Sequence, residues 1–287
     1  MKNRAWLFLT PALILVSLSA FIPIMTVINY SLHLIYPGSI PEFFGLGNYT
    51  YILQDEIFLE SLKRTFLFTL QVLLVEIPLG LLVALGMPQK GKLLTVILVM
   101  LGVPLLIPFP VVGMLWHVFT RSDLGVVPKF FNLLGYDYRP VEHALDAWLT
   151  ILAVDMWHWI PLVALLSFAG LQTIPEPYYQ AARIDGASKW ATFRYVTLPK
   201  LRYVLIIAVL LRAMDSFSIY SEVMMITGGG PGNTTNFLSL YTSSQAVGGT
   251  DLGIGAALSM VYLFVVVLMC YVLYQIMTHA GQGGNKS

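Results

Sequence analysis

The sequence predicts an all-α integral membrane protein with six transmembrane helices and both termini on the cytoplasmic side, a single domain over residues 1–287. Three observations carry this. First, 57% of the residues are hydrophobic, only 11% are charged, and mean hydropathy is +0.76, whereas a soluble domain is about a quarter charged. Second, six apolar runs, at about 5–30, 64–86, 93–119, 147–171, 203–226 and 253–277, each supply the ~20 residues that a helix needs to cross a ~30 Å hydrocarbon core. Third, the connections are asymmetric in charge. Lys2, Arg4, Lys90, Lys92, Arg183, Lys189, Arg194, Lys200, Arg202 and Lys286 fall on one side with only Glu176 and Asp185. The other side holds Lys63, Arg64, Arg121, Lys129 and Arg139 against nine acids: Glu42, Asp55, Glu56, Glu60, Asp123, Asp137, Glu142, Asp146 and Asp251. Basic loops stay in the cytoplasm, so the termini and the 172–202 segment are expected there.

The first run, AWLFLTPALILVSLSAFIPIM, is too long for a signal peptide and lacks a small-residue cleavage site. The segments 31–63, 120–146 and 227–252 then fall outside. They are rich in Gly, Pro, Asn and aromatics, too short for separate domains and long enough to shape a docking surface. Between the second and third runs, GMPQKGK reads G-x-x-x-x-G-K, close to a phosphate-binding loop. Leu93 stands where that loop has its Mg²⁺-binding hydroxyl, and the turn joins membrane helices instead of following a strand, so it is read as a basic cytoplasmic turn. The chain is expected to be non-catalytic, with no hydrolysis of ATP of its own. The single cysteine, Cys270, lies in the sixth run, so neither a disulfide framework nor a metal cluster is expected. His33, His117, His143, His158 and His279 show no metal-binding spacing, and G-x-S-x-G is absent, which disfavours an intramembrane hydrolase.

Ionisable residues inside spans are costly unless they face a cavity or a partner. Glu76 lies in the second run, Asp155 and His158 in the fourth (VDMWHWIP), and Arg212, Asp215 and Glu222 in the fifth (LLRAMDSFSIYSEVMM). On a helix, Arg212, Asp215, Ser216 and Ile219 share one face and Tyr220 lies close to it. Trp157, His158 and Trp159 fall at similar depth. Carboxylates, hydroxyls and imidazole beside flat rings suit a polyhydroxylated ligand. The competing reading is an Arg212–Asp215 pair within one helix plus interfacial tryptophans, with no ligand.

The polar insert between the fourth and fifth runs, QTIPEPYYQAARIDGASKWATFRYVTLPKLR, has its own logic. Pro175 and Pro177 suit a helix start, Gly186 can turn the helix C-terminus, and Ser188 can cap the next helix, which meets Pro199. This reads as a helix–turn–helix on the cytoplasmic surface, docking either on another protein or on lipid.

QAARIDGASKWATFRYVTLP closely resembles the EAA loop of permease subunits from binding-protein-dependent ABC importers: Ala181, Ala182, Asp185, Gly186, Ala187, Phe193, Leu198 and Pro199 match, and Gln180 replaces the usual Glu. AWLFLTPALILVSL, FFGLGNYTYILQD, LQTIPEPYYQAARIDGAS and MITGGGPGNTTNFLSLY extend the resemblance over nearly the whole chain, toward the carbohydrate-uptake branch with its maltose-type and glycerol-phosphate-type permeases. MDSFSIYSEVMM and DLGIGAALSMVYL lean toward glycerol and polyol importers. The resemblance implies a type I importer permease in the bacterial cytoplasmic (inner) membrane, paired with a second, related permease. It also implies two cytoplasmic ATPase subunits, which carry the ATP and Mg²⁺, and an extracytoplasmic substrate-binding protein. Gln180, Ala181, Ala182, Asp185, Gly186 and Ala187 would engage the ATPase, and Gly228, Gly229, Gly230 and Pro231 would face the binding protein. Trp157, His158, Trp159, Arg212, Asp215, Ser216 and Tyr220 are the expected substrate residues. Permeases for amino acids, phosphate or polyamines and a secondary transporter are the alternatives.

Overall fold

The computed structural model describes residues 2–249 and 251–282. Lys286 lies outside the described residues, as do the side chains of Lys2, Arg4 and His279. In order, the elements are α1 (Lys2–Ser31), β1 (His33–Leu34), β2 (Glu42–Phe43), α2 (Gly47–Gln54), α3 (Glu56–Gly86), α4 (Lys92–Leu105), α5 (Phe109–Thr120), α6 (Val126–Leu133), α7 (Ala144–Gln172), α8 (Glu176–Ile184), α9 (Lys189–Thr192), α10 (Leu198–Phe217), α11 (Ser221–Ile226), α12 (Leu238–Gly248) and α13 (Leu252–Gln282). They form two compact units, one up to Ser61 together with Tyr241–Val265, the other Leu62–Leu240 with the residues from Val266 on.

Among the described residues, four helices are long and apolar enough to cross a membrane: Leu9–Ser31, Glu56–Gly86, Ala144–Gln172 and Leu252–Gln275. The third expected span, 93–119, is not one helix. It breaks into α4 and α5, which meet at 93°. Pro108 lacks the N–H that would continue α4 and biases Ile107 away from helical geometry, and it adopts extended backbone (φ −60°, ψ 141°) as the cap of α5. The fifth expected span, 203–226, is also interrupted. α10 ends at Phe217 and α11 starts at Ser221, with Ser218 at φ −101° and Tyr220 at φ −139° between them. Ile219 and Tyr220 are therefore not on the helix face that carries Arg212 and Asp215. The 20 residues of α10 also include Lys200, Arg202, Arg212 and Asp215, too many charges for a simple apolar crossing.

In the first unit, the short antiparallel pair β1–β2 sets His33 opposite Phe43. Buried Asn48 donates to the carbonyls of Ser31 and His33, both at 3.0 Å, and Tyr49 donates to the Ser31 hydroxyl at 2.7 Å. Asp251 accepts from the backbone N–H of Ile35 (3.0 Å) and of Gly253 (2.7 Å). Gly253 is required there: a Cβ would stand 1.9 Å from the His33 carbonyl.

In the second unit, Phe68 and Val72 of α3, Val112 of α5, Ile151 and Val154 of α7, Val223 and Ile226 of α11, with Ile219 and Phe237, make the core. Two glycines permit the close helix approaches that frame it. A Cβ on Gly80 would sit 2.5 Å from Val163 across α3–α7, and one on Gly113 2.9 Å from Met225 across α5–α11. Small residues at such crossings let membrane helices pack backbone to backbone. Outside this core, Asp146 near the start of α7 accepts from the Tyr136 hydroxyl (2.6 Å) and the Arg139 N–H (2.8 Å), which fastens the 134–143 segment to that helix.

Candidate functional site

Arg212 is the organising residue. It is fully buried on α10, and its guanidinium donates to Glu76 of α3 (Nε, 2.6 Å), Asp155 of α7 (Nη2, 2.7 Å) and Asp215 one turn on (Nη1, 2.6 Å). One of its faces lies over the Trp159 ring, 4.5 Å from the centroid. A planar five-donor fork serves three carboxylates while leaving its flat face free to stack on a ring, a geometry that a point-like ammonium does not offer. The pair within α10 thus exists, but it is one arm of a cluster that joins three helices through a single cation.

Beside the cluster is a cavity of about 60 Å³, lined by Phe109, Asp155, Trp159, Asp215, Ser218, Ile219, Tyr220, Ser221 and Glu222. Both helix breaks open onto it: Phe109 is the first residue of α5, and 218–220 is the gap between α10 and α11. Irregular backbone at membrane depth is tolerated where it is buried in protein or lines a polar cavity. Ser218 donates to the Met214 carbonyl at 3.0 Å, and the Ser239 hydroxyl bonds to the free carbonyl of Ile219.

The sequence-expected substrate residues separate into two groups. Trp159, Asp215 and Tyr220 line the cavity. Arg212 stands behind it, and Ser216 is buried toward the Thr69 hydroxyl at 3.3 Å. His158 is buried against Phe109 and Trp159, with ring centroids at 5.3 and 5.1 Å. Trp157 turns away, edge-on to Trp116 at 5.7 Å. Asp155 and Glu222 were legible as intramembrane charges but not as cavity walls, because the wall depends on which helix faces meet. Phe109, Ser218 and Ser221 had no sequence signal beyond the proline before Phe109 and a run of serines.

The insert folds as its composition foretold at three points. Pro175 precedes α8, Gly186 takes φ +68°, and the Ser188 hydroxyl accepts from the Ala191 N–H at 3.2 Å. It differs at Pro199, which ends nothing. Residues Phe193–Thr197 widen into a π-turn that accommodates the missing donor, and helix continues from Lys189 to Phe217. Ile174, just before α8, and Tyr179 within it pack under this rod with Leu81 and Leu201, and Ala182 is buried. Gln180, Ala181, Asp185, Gly186 and Ala187 are exposed, flanked by the bare side chains of Ile184 and Trp190, 86% and 71% exposed.

The glycine-rich loop after α11 is held by its own threonines. Thr227 and Thr235 bond hydroxyl to hydroxyl (2.7 Å), and buried Thr235 also bonds the Gly230 carbonyl (2.9 Å). Gly228, Gly229, Gly232 and Asn233 all have positive φ, and the Gly230–Pro231 peptide is cis. Gly228 and Gly232 are exposed, Gly230 and Pro231 half-buried, and Gly229 buried against Leu240.

Residues 76–283 match the family described as "Binding-protein-dependent transport system inner membrane component". The chain is 34% identical to the trehalose/maltose transport system permease protein of Thermococcus litoralis, over 94% of this chain and 91% of that one. It is also 34% identical to the sulfoquinovosyl glycerol transport system permease protein of Agrobacterium fabrum, over 90% and 84%. Its fold matches that of a chain in a bacterial alginate ABC transporter, solved in complex with an alginate pentasaccharide-bound periplasmic protein. The TM-score is 0.81 at 19% identity, covering 99% and 97% of the two chains.

Proposed function

Given that the chain belongs to the inner-membrane components of binding-protein-dependent transport systems, we propose that it is one permease subunit of an ATP-driven importer for a sugar or sugar derivative, with polyols and glycerol derivatives in range. In this reading the protein has six membrane passages with both termini in the cytoplasm. It pairs with a second permease and two ATPase subunits, and takes its substrate from an extracytoplasmic binding protein. The sugars in the names of its relatives and the cavity's mixture of rings and acceptors support a carbohydrate ligand: Phe109 and Trp159 cover C–H faces while Asp155, Asp215 and Tyr220 meet hydroxyls.

The observation that carries the coupling is the unbroken helix from Lys189 to Phe217. At 1.5 Å per residue it is a lever about 43 Å long. One end adjoins the exposed Gln180–Ala187 surface, and the other carries Asp215 at the cavity. A push from an ATPase on the first end tilts the second, and alternating access follows if the breaks at 106–108 and 218–220 serve as hinges. No step of ATP chemistry falls on this chain.

The test is affinity purification of the tagged chain from its native membrane, followed by uptake in proteoliposomes. An ATPase and a second permease are expected to co-purify, and labelled trehalose or a related sugar is expected to accumulate only with ATP inside. Accumulation without ATP or without a bound ATPase would replace this reading with a secondary transporter.

A further inference from the structure

A second cavity, of about 500 Å³, lies in the second unit where α8 meets the ends of α3 and α7. Leu85, Leu171 and Ile174 give it an apolar wall. Its polar wall comes from segments far apart in the chain: Gln89 and Lys90 of the GMPQKGK turn, Gln172 of α7, Glu176, Tyr179 and Arg183 of α8, and Thr197 of the π-turn. The turn that resembles a phosphate loop in sequence thus does face a cavity, although Leu93 still denies it the Mg²⁺ ligand of a nucleotide site.

Donors outnumber acceptors on this wall. Gln172 donates to the Gln89 carbonyl at 2.7 Å, which leaves the N–H bonds of the Gln89 amide unused among the described residues. Thr197 donates to the Tyr179 hydroxyl at 3.4 Å, so the phenol keeps its own hydrogen to give. Lys90 is exposed and makes no ion pair among the described residues. Arg183 reaches Glu176 at 3.3 Å with one arm of its guanidinium, and the two side chains are 75% and 58% exposed, a weak surface pair. Two cations therefore face one carboxylate. Glu176, Tyr179 and Arg183 are spaced by three and four positions and share one face of α8, whereas Ala181 and Asp185 fall on the opposite face. An occupant of the cavity would leave that opposite face open.

We propose that this cavity is an anion site for a phosphate group. Lys90 and Arg183 supply the charge, and the Gln89 amide and Tyr179 hydroxyl donate to the phosphate oxygens. A guanidinium fork matches phosphate geometry and an ammonium serves as a point charge beside it. Basic pockets between membrane helices hold the headgroups of anionic lipids, and a soluble phosphate ester offers the same chemistry. The inference goes beyond the importer reading and does not depend on it. A bound phosphate would tie the GMPQKGK turn to α8 and hold α8 against the ends of α3 and α7.

The experiment is native mass spectrometry of the full-length chain in a neutral detergent, titrated with phosphatidylglycerol, with zwitterionic phosphatidylcholine and with glucose 6-phosphate. One anionic phosphate ligand per chain is expected to bind saturably, at least tenfold tighter than phosphatidylcholine. The double variant Lys90→Gln, Arg183→Gln is expected to lose that tenfold preference, and Lys90→Gln alone about threefold of it. Lys129→Gln, an exposed lysine of α6 outside the cavity, is expected to bind as the parent does. Monodispersity and an unchanged melting temperature show that each variant is folded. Tight phosphatidylglycerol that glucose 6-phosphate does not displace supports the site with a lipid headgroup as its source. Saturable glucose 6-phosphate, lost in the double variant, supports it with a soluble ester as its source. Binding that is unchanged in the double variant, or no saturable binding of either anionic probe, would overturn the inference.

Discussion

At the scale of single residues, Arg212 decides most. Its three carboxylate partners come from positions 76, 155 and 215, and removing the cation leaves Glu76 and Asp155 buried without compensation and Asp215 half-buried without its partner. Breaking a buried ion pair costs about 3–5 kcal/mol, so Arg212→Ala is expected to lower the melting temperature of the detergent-purified chain strongly. Arg212→Lys is expected to recover only part of the loss, because an ammonium keeps the charge but lacks the planar fork and its stacking on Trp159. An unchanged melting temperature in Arg212→Ala would mean that the cluster does not brace the helices. The sequence showed each charge in its span, but not that they converge. Glu76 is 136 positions from Arg212, and no local pattern predicts a contact at that separation.

At the scale of elements, the helix breaks and close crossings matter more than the helices themselves. The break at Pro108 was written in the sequence as PLLIPFP, yet hydropathy alone ran 93–119 together, since an apolar count is blind to a missing N–H. The break at Ser218 was not visible, because serine and isoleucine are ordinary helix residues and the Ser218 and Ser239 hydroxyls supply the substitute bonds. Crossings make equally local predictions. Gly80→Leu must displace Val163, and overpacking of this type costs about 1–3 kcal/mol, expected as a lower melting temperature. Gly86→Ala, where a Cβ meets nothing within 4 Å, is the matched control and is expected to leave it unchanged. Equal effects of the two would show that the α3–α7 contact is not tight. Gly186 is the other diagnostic glycine. Its φ of +68° with open space around it means that Gly186→Val meets backbone strain of about 1–2 kcal/mol and no clash. It is expected to loosen the α8–α9 turn, measured as faster proteolysis within 178–190 with the membrane helices intact. A cleavage rate equal to that of the parent chain would show that the turn does not need this conformation.

At the scale of the whole molecule, the chain belongs to the inner-membrane components of binding-protein-dependent transport systems. Composition and apolar run length were enough to read a multi-pass helical membrane protein, and QAARIDGAS was enough to read its family. The second unit's core, the Arg212 cluster and the cavity were beyond them, since those depend on how α3, α5, α7, α10 and α11 meet. The central claim is that an ATPase acts on the exposed Gln180–Ala187 surface and that the Lys189–Phe217 rod carries the motion to the cavity. Ala181 tests this most directly, because it is exposed on that surface. The measurement is ATP-driven sugar uptake by the assembled importer carrying Ala181→Trp, alongside the melting temperature of the purified variant. The expected result is uptake reduced at least tenfold with an unchanged melting temperature, and uptake at the parental rate would contradict the account.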